Sequence, residues 1–202
     1  WELGATALWV SDGTAAGTAR IGLGMVTSFE DTMHTFGDRV WFGDKVRGAG
    51  TSLWSSDGTA MGTRLEFALP SGPVHGMRAT ASRLFLLAGP VALATDGTAG
   101  GTVVLSTWVT FASNGNKQPF ALVGNRVLFD AYGSGGVRPF VSDGTIAGTR
   151  ELDPTLDRLQ PADEYVEAGD GRVWFDAMVV SPLGPGIYVT DGTPGGTRRM
   201  SN

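Results

Sequence analysis

A seven-residue frame, Asp-Gly-Thr-x-x-Gly-Thr, occurs five times along this chain of 202 residues. The copies are found in "VSDGTAAGTAR", "SSDGTAMGTRL", "ATDGTAGGTVV", "VSDGTIAGTRE" and "VTDGTPGGTRR". Their aspartates, separated by 45, 39, 47 and 48 residues, are Asp12, Asp57, Asp96, Asp143 and Asp191. A period of this length is typical of propeller blades, which bury their apolar faces by stacking on their neighbours.

A second landmark supports the same period. An arginine followed by apolar residues stands 13 to 19 residues before four of the aspartates, at Arg39, Arg83, Arg126 and Arg172. Each unit contains short runs rich in β-branched and aromatic residues, bounded by Gly, Asn and Asp, which predict four strands joined by tight turns. No segment shows a sustained helical period with caps. The sequence therefore predicts an all-β fold.

The motif itself predicts a hairpin turn. Its aspartate can accept hydrogen bonds from backbone N–H groups two or three residues on and close an Asx turn. We expect both glycines to take the positive φ of a tight loop, and the threonine hydroxyls to add bonds to the backbone.

We expect one domain, 1–202, that forms a five-bladed β-propeller of four-stranded antiparallel blades. The units span approximately 1–21, 22–66, 67–105, 106–152 and 153–202. Trp1 aligns with Phe85, so the first blade lacks its first strand, which could lie upstream or come from a larger ring or a neighbouring chain. An open solenoid of hairpins is the alternative. A large apolar residue three positions before each aspartate is expected to pack between blades: Trp9, Trp54, Leu93, Phe140 and Tyr188.

Composition excludes several classes of function. A net charge of −5 without a basic run argues against nucleic-acid binding. The longest apolar stretches are interrupted by Gly and Pro, so we expect no transmembrane segment. Cysteine is absent, which excludes disulfides and thiolate metal sites.

The stretches "LWVSDGTAAGTAR" and "LWSSDGTAMGTRL" resemble the bacterial repeat family named for its Glu-Leu-Trp-x-x-Asp-Gly-Thr signature. The resemblance covers the whole chain in five copies and implies a propeller-like module of secreted, periplasmic or surface proteins. The family has no well-established activity. This sequence departs from the signature at its glutamate in every copy, where the chain has Ala7, Ser52, Val91, Arg138 and Gly186.

The function that the sequence favours is a non-enzymatic binding or scaffold module. The loops between second and third strands and the connections between units vary in length, and they share one face of a propeller. Exposed aromatic residues and Arg are the usual anchors for partners. We expect a protein partner, such as a subunit of a larger membrane-associated complex; the alternative is a glycan-binding lectin. The candidate anchors are Trp108, Phe111, Asn114, Tyr132, Lys45, Arg47 and Arg138.

Two further hypotheses concern the carboxylates. Calcium binding at the motif aspartates is disfavoured, because calcium requires six to eight oxygens and each turn offers one acidic side chain. A glycoside hydrolase needs a spaced carboxylate pair, for which the candidates are the residues expected to end the second strand in three units: Asp44, Asp130 and Asp176. A carboxylate at equivalent positions is more typical of a turn than of a specialised acid and base. We therefore expect no catalytic residue, no metal and no cofactor.

Overall fold

The computed structural model describes residues 7–21, 33–46, 50–70, 72–107, 109, 119–133, 136–153, 159–160, 165–179 and 184–200. Within these ranges the chain is all β, with nineteen strands in five antiparallel sheets that we number 1 to 5 in chain order. The described residues contain no helix long and apolar enough to cross a membrane.

Each sheet contains strands that are consecutive in the chain. Sheet 1 contains β1 (Trp9–Val10) and β2 (Ala19–Arg20). Sheet 2 contains β3 (Met33–Phe36), β4 (Arg39–Val46), β5 (Gly50–Ser56) and β6 (Arg64–Ala68). Sheet 3 contains β7 (Val74–Ala79), β8 (Leu84–Ala88), β9 (Val91–Thr95) and β10 (Val103–Ser106). Sheet 4 contains β11 (Ala121–Val123), β12 (Arg126–Gly133), β13 (Gly136–Ser142) and β14 (Arg150–Glu151). Sheet 5 contains β15 (Leu159–Gln160), β16 (Tyr165–Glu167), β17 (Val173–Val179), β18 (Gly184–Thr190) and β19 (Arg198–Arg199).

Sheets 2, 3 and 4 confirm the prediction of four strands per unit. Sheet 5 differs because its first strand is divided: β15 and β16 both pair with β17, at opposite ends of that strand. The segment expected to form the second strand of the first unit lies outside the described residues.

Antiparallel pairing places the turns on two opposite faces. The turn between the first and second strands and the Asp-Gly-Thr turn lie at one end of each complete sheet, because the second strand begins where the third ends, as in the pairing of Val40 with Ser56. We call this end the DGT face. The loops between second and third strands lie at the other end, which we call the loop face. The predicted division of loops between two faces is therefore confirmed for these sheets.

The sheets pack on one another in chain order. In β8, Leu84 and Leu86 join the cluster shared with sheet 2, whereas Phe85 and Leu87 join the cluster shared with sheet 4. Every residue of β8 is buried. This is the alternation of side chains expected when both faces of a strand are covered.

Three apolar clusters fill the three interfaces from sheet 2 to sheet 5. Trp41 and Leu53 of sheet 2 meet sheet 3, Phe85 meets Phe129 through Phe120, and sheets 4 and 5 enclose a third cluster. In each interface, the side chain two residues after the arginine landmark points to the sheet that follows.

We call the side of a sheet that meets the following sheet its forward face and the opposite side its rear face.

The large apolar residues that precede the aspartates lie on the rear faces. Leu93 and Tyr188 are buried in the interfaces with sheets 2 and 4, and Phe140 packs against the cluster between sheets 3 and 4. Trp54 is half-buried. Trp9 differs, since 60% of its surface is exposed. The prediction that this position packs between sheets is wrong for Trp9, because none of the sheets formed by the described residues covers it.

The first strands of sheets 3, 4 and 5 converge. The Arg78 guanidinium on β7 pairs with the Glu167 carboxylate on β16, and Glu167 Oε1 also accepts the backbone N–H of Leu122 on β11 at 2.8 Å. Sheets that stack in parallel lie about 10 Å apart, so sheets 3 and 5 would be separated by roughly 20 Å in a flat stack. An arginine and a glutamate cannot bridge that distance, so these three sheets fan out from a common line as in a propeller.

Candidate functional site

The Asp-Gly-Thr turn is held by hydrogen bonds to its aspartate and first threonine. In the second copy, Asp57 Oδ1 accepts the backbone N–H of Thr59 at 2.9 Å and its hydroxyl at 2.8 Å. The Thr59 hydroxyl accepts the N–H of Gly62 at 2.9 Å, and the Thr59 carbonyl accepts the hydroxyl of Thr63 at 2.7 Å. The predicted Asx turn is confirmed.

The residue before the aspartate completes the turn. Ser56 Oγ accepts the N–H of Gly58 at 3.1 Å and lies 2.7 Å from the Thr63 hydroxyl. Ser or Thr occupies this position in every copy, a repeated signal from which this role could be predicted. The same contacts recur around Asp12, Asp96, Asp143 and Asp191.

The two glycines of the motif serve different purposes. Gly97, directly after the aspartate, has a φ of 98°, a conformation that favours glycine. Gly101, the second glycine, has no positive φ; a Cβ there would lie 2.1 Å from Asp96 Oδ1. The prediction that both glycines take positive φ is therefore wrong for the second, which is needed because the carboxylate packs directly against its Cα.

These aspartates are committed to their turns. Hydrogen bonds from the backbone N–H and then the hydroxyl of Thr14 hold the pKa of Asp12 below its usual range, and Thr59 does the same for Asp57. The described residues contain no group of three or more His, Asp or Glu side chains placed to hold a metal ion. In each turn the aspartate and the first threonine are hydrogen-bonded to one another at the DGT face.

Two of the candidate anchors that the structure describes lie at the loop face. Tyr132 is the residue before the end of β12 at this face, and 58% of its surface is exposed. Lys45 lies near the end of β4, where the structure describes the backbone alone. Four candidates lie outside the described residues: Arg47, Trp108, Phe111 and Asn114.

Arg138 is not a surface anchor. It lies within β13 opposite Ala131, is 6% exposed, and has a guanidinium nitrogen 4.0 Å from Glu151 Oε2. Its pairing with Ala131 places it on the rear face of sheet 4, toward sheet 3. The expectation that it lies in an exposed loop is wrong because the third strand begins earlier than the sequence pattern indicated.

The three candidate carboxylates are not equivalent. Asp130 and Asp176 lie four residues after their arginine landmarks, whereas Asp44 lies five residues after Arg39. Gly43 occupies the position that matches Asp130, so Asp44 lies one residue further along its strand. The prediction that all three occupy one position is wrong for Asp44, and counting from the arginine would have shown the difference.

Asp130 is a buried acid between sheets 4 and 5. It is 6% exposed, and its Oδ1 accepts the Tyr165 hydroxyl at 2.6 Å. Burial raises the pKa of Asp130 to about 7, with a smaller contribution from the charge of Asp176, while the Tyr165 hydrogen bond lowers it. Asp176 is exposed on the forward face of sheet 5. The two carboxyl groups therefore differ in environment: Asp130 is buried against the Tyr165 hydroxyl, whereas Asp176 is exposed.

Comparison with protein-family models gives no match to the sequence, and comparison with curated proteins gives none either. Solved structures do match. A mutant puromycin hydrolase complexed with PGG aligns with a TM-score of 0.59 and 14% identity, over 92% of this chain and 30% of that chain. A putative TolB from Agrobacterium tumefaciens aligns with a TM-score of 0.48 and 13% identity, over 90% of this chain and 72% of that chain. The chain spans 30% of the length of the hydrolase. The structural similarity to the hydrolase supports a propeller-like all-β fold.

Proposed function

We propose that this chain is a non-enzymatic binding module whose loop face engages a protein partner. One observation carries the proposal: the loop face presents an exposed aromatic side chain on a strand. On the DGT face, the aspartate and threonine side chains of each turn bond within that turn. On the loop face, the Tyr132 ring is more than half exposed at the end of a strand. An exposed aromatic side chain on a rigid strand end is the type of residue that anchors a partner.

The unequal loops favour a protein over a glycan. Gly89 and Pro90 alone connect β8 to β9, whereas 180–183 connect β17 to β18. Equivalent sugar pockets between repeats would need equivalent loops, and these loops differ in length and sequence. A single asymmetric patch suits one protein partner.

The proposal includes the setting of the module. We assign the chain to the Glu-Leu-Trp-x-x-Asp-Gly-Thr repeats as five blades of a propeller located outside the cytoplasm in a bacterial assembly. Support comes from the identical hydrogen-bonding pattern of the five turns and from the convergence of the first strands of sheets 3 to 5.

The test is affinity purification from the native source, with the protein carrying Tyr132→Ala or Met61→Ala. Met61 is the matched control, because it is 99% exposed on the DGT face. We expect a partner protein to be recovered in stoichiometric amount with the wild type and with Met61→Ala. With Tyr132→Ala, the amount of recovered partner should fall at least several-fold. Equal recovery with all three proteins would remove the loop face as the binding surface. Release by free sugars would instead support a lectin.

A glycoside panel tests the absence of catalysis separately. We expect no turnover by the purified protein. Hydrolysis that Asp130→Asn abolishes would overturn the non-enzymatic proposal, because it would assign the buried carboxyl as a general acid.

A further inference from the structure

We propose that Asp170 is the aspartate at which the folded chain rearranges spontaneously to isoaspartate, and that the Asp-Gly-Thr turns protect their own Asp-Gly bonds from this reaction. The inference goes beyond a loop-face partner and does not depend on one. It rests on the contacts of the six aspartates that a glycine follows. These are Asp12, Asp57, Asp96, Asp143, Asp170 and Asp191.

The rearrangement requires water as its only co-reactant. The backbone nitrogen of the glycine attacks the aspartate carboxyl carbon, a new C–N bond forms, and the carboxyl hydroxyl leaves as water with the amide proton. A second water molecule then opens the resulting succinimide. Cleavage of the new C–N bond restores aspartate, whereas cleavage of the original peptide bond leaves the chain joined through the side-chain carboxyl. A following glycine favours the attack because it has no Cβ to obstruct the approach.

Two conditions of this chemistry differ from one aspartate to another. The carboxyl carbon must be able to move to the glycine nitrogen. The carboxyl must also be protonated, because an ionised carboxylate has no hydroxyl to lose.

The motif turn restrains its carboxylate through several contacts. In the second copy, Asp57 Oδ1 accepts the N–H of Thr59 at 2.9 Å and the Thr59 hydroxyl at 2.8 Å. A Cβ at Gly62 would overlap this carboxylate, which therefore lies directly against the Gly62 Cα. The attacking nitrogen would be that of Gly58, and its N–H donates to Ser56 Oγ at 3.1 Å. Rearrangement at Asp57 would have to break these contacts.

The other four motif aspartates are restrained in the same way. Each accepts the backbone N–H and the hydroxyl of its threonine, and the N–H of each following glycine donates to a Ser or Thr hydroxyl. A Cβ at the second glycine of each copy would overlap the carboxylate.

Asp170 is held by an exposed ion pair instead. It lies in the turn between β16 and β17, where the Arg172 N–H donates to its Oδ1 at 3.1 Å and Arg172 Nε donates to its Oδ2 at 2.7 Å. The Arg172 side chain is 43% exposed and that of Asp170 is 47% exposed. Exposed ion pairs are weak, because water competes for both charges. The Asp170 carboxylate is therefore released each time the Arg172 side chain turns into solvent.

The attacking nitrogens do not distinguish the two kinds of turn. The N–H of Gly171 donates to the Ala168 carbonyl at 3.1 Å, the same distance as between Gly58 N and Ser56 Oγ. The difference in reactivity should therefore come from the carboxylates.

The protonation of each carboxyl follows the same contacts. The backbone N–H and then the hydroxyl of Thr14 hold the pKa of Asp12 below its usual range. The side chain and then the N–H of Arg172 do the same for Asp170. The threonine is fixed inside its turn, whereas the arginine is on the surface. Opening of the ion pair therefore returns the pKa of Asp170 toward its usual range and increases the reactive, protonated fraction.

Isoaspartate at Asp170 should weaken the line where the sheets converge. The product has one more methylene group in the main chain, three residues after Glu167. The Glu167 carboxylate pairs with Arg78 and accepts the N–H of Leu122. We therefore expect the rearranged protein to unfold at a lower urea concentration than the fresh protein.

The experiment is incubation of the purified protein at mildly acidic pH, in buffer and in urea. Isoaspartate is measured at each aspartate by peptide mass spectrometry with electron-transfer fragmentation, which distinguishes the two isomers of equal mass. In urea, we expect all six Asp-Gly bonds to rearrange at similar rates. In the folded protein, isoaspartate should accumulate at Asp170 at least several-fold faster than at any motif aspartate. Arg172→Met should raise the rate at Asp170 alone.

Thr145→Val tests the protection by the motif. Isoaspartate should rise several-fold at Asp143, which loses the Thr145 hydroxyl, and stay low at the other motif aspartates. Thr145→Ser is the matched control and should behave like the wild type. If Thr145→Val fails to fold by circular dichroism, Thr14→Val provides the same comparison at Asp12.

Equal rates at Asp170 and at the motif aspartates of the folded wild type would overturn the proposal. So would rearrangement of Asp170 in urea but not in the folded protein, because its turn would then protect it as the motif does. An unchanged rate at Asp143 in Thr145→Val, or an equal rise at every motif aspartate, would refute local protection by the hydroxyl. Loss of the loop-face partner does not affect these outcomes, so the two proposals can fail separately.

Discussion

Arg78 on the first strand of sheet 3 pairs with Glu167 on the first strand of sheet 5, 89 residues later in the chain. Glu167 also accepts the backbone N–H of Leu122 in sheet 4. One carboxylate thus joins three sheets at the line where they converge. Both side chains are only about a third exposed or less, so solvent screens the pair less than an ordinary surface ion pair.

Removing the Glu167 carboxylate should lower the free energy of unfolding more than removing the Arg78 guanidinium. Arg78→Met should lower the free energy of unfolding by about 1 kcal/mol, as for a partly exposed pair. Glu167→Ala should cost about 2 kcal/mol, because the N–H of Leu122 also loses its acceptor. Glu167→Gln keeps an acceptor and should fall between them. Urea unfolding measures all three, and equal costs for Arg78→Met and Glu167→Ala would show that the bond to Leu122 contributes nothing.

Adjacent glycines in one turn should respond in opposite ways to alanine. A Cβ at Gly101 would overlap the Asp96 carboxylate, whereas a Cβ at Gly100 meets nothing within 4 Å. Gly101→Ala should destabilise the protein by about 1–3 kcal/mol, the cost of overpacking. Gly100→Ala should be neutral or stabilise by up to about 1 kcal/mol. Thermal unfolding of the two variants is the measurement, and a similar Tm for both would contradict the packing role of the second glycine.

The first threonine of the motif should be needed for its hydroxyl and not for its shape. Thr145 donates its hydroxyl to Asp143 at 2.7 Å and accepts the N–H of Gly148 at 2.9 Å. Thr145→Val keeps the volume and removes both bonds, so we expect a loss of about 1–2 kcal/mol. Thr145→Ser retains the hydroxyl and should cost less. Chemical unfolding of the Thr145→Val and Thr145→Ser variants measures both losses. Equal free energies of unfolding for the two variants would contradict the role of the hydroxyl.

The turn chemistry and the strand pattern were predictable from the sequence because they are local. Asp57 and Thr59 are two residues apart, and the alternation of β8 follows from period 2 once both faces are covered. The φ of the second glycine was predicted wrongly. A position that needs glycine because a Cβ does not fit looks the same in the sequence as a position that needs glycine for its positive φ.

Contacts between units could not be read from the sequence. The pairing of Tyr165 with Asp130 joins residues 35 apart in different sheets, and nothing in either segment identifies the other. Trp9 carries the same sequence signal as Leu93, but burial depends on whether a sheet lies beyond it. The alternation of apolar residues thus specifies which side of a strand is apolar. Whether another sheet covers that side depends on the number and order of the neighbouring sheets.

The buried acid between sheets 4 and 5 should make stability depend on pH near neutrality. The pKa of Asp130 is raised to about 7 in the folded protein, against about 3.9 for an unfolded chain. Between these values the folded state holds a proton that the unfolded state has released, so unfolding becomes easier as pH rises through this window. The stabilising contribution is complete below about pH 4 and is lost as pH passes about 7.

Asp130→Asn should remove this dependence while it keeps the Tyr165 hydroxyl bond, because the amide oxygen can accept it and the side chain stays neutral. For the wild type we expect a decline on the order of 2–3 kcal/mol between about pH 5 and about pH 8 from this group. Asp176→Asn, at the exposed equivalent position, is the control and should keep most of the wild-type slope. Urea unfolding across this pH range would refute the assignment if Asp130→Asn and the wild type lost stability in parallel, since the raised pKa would then belong to another group.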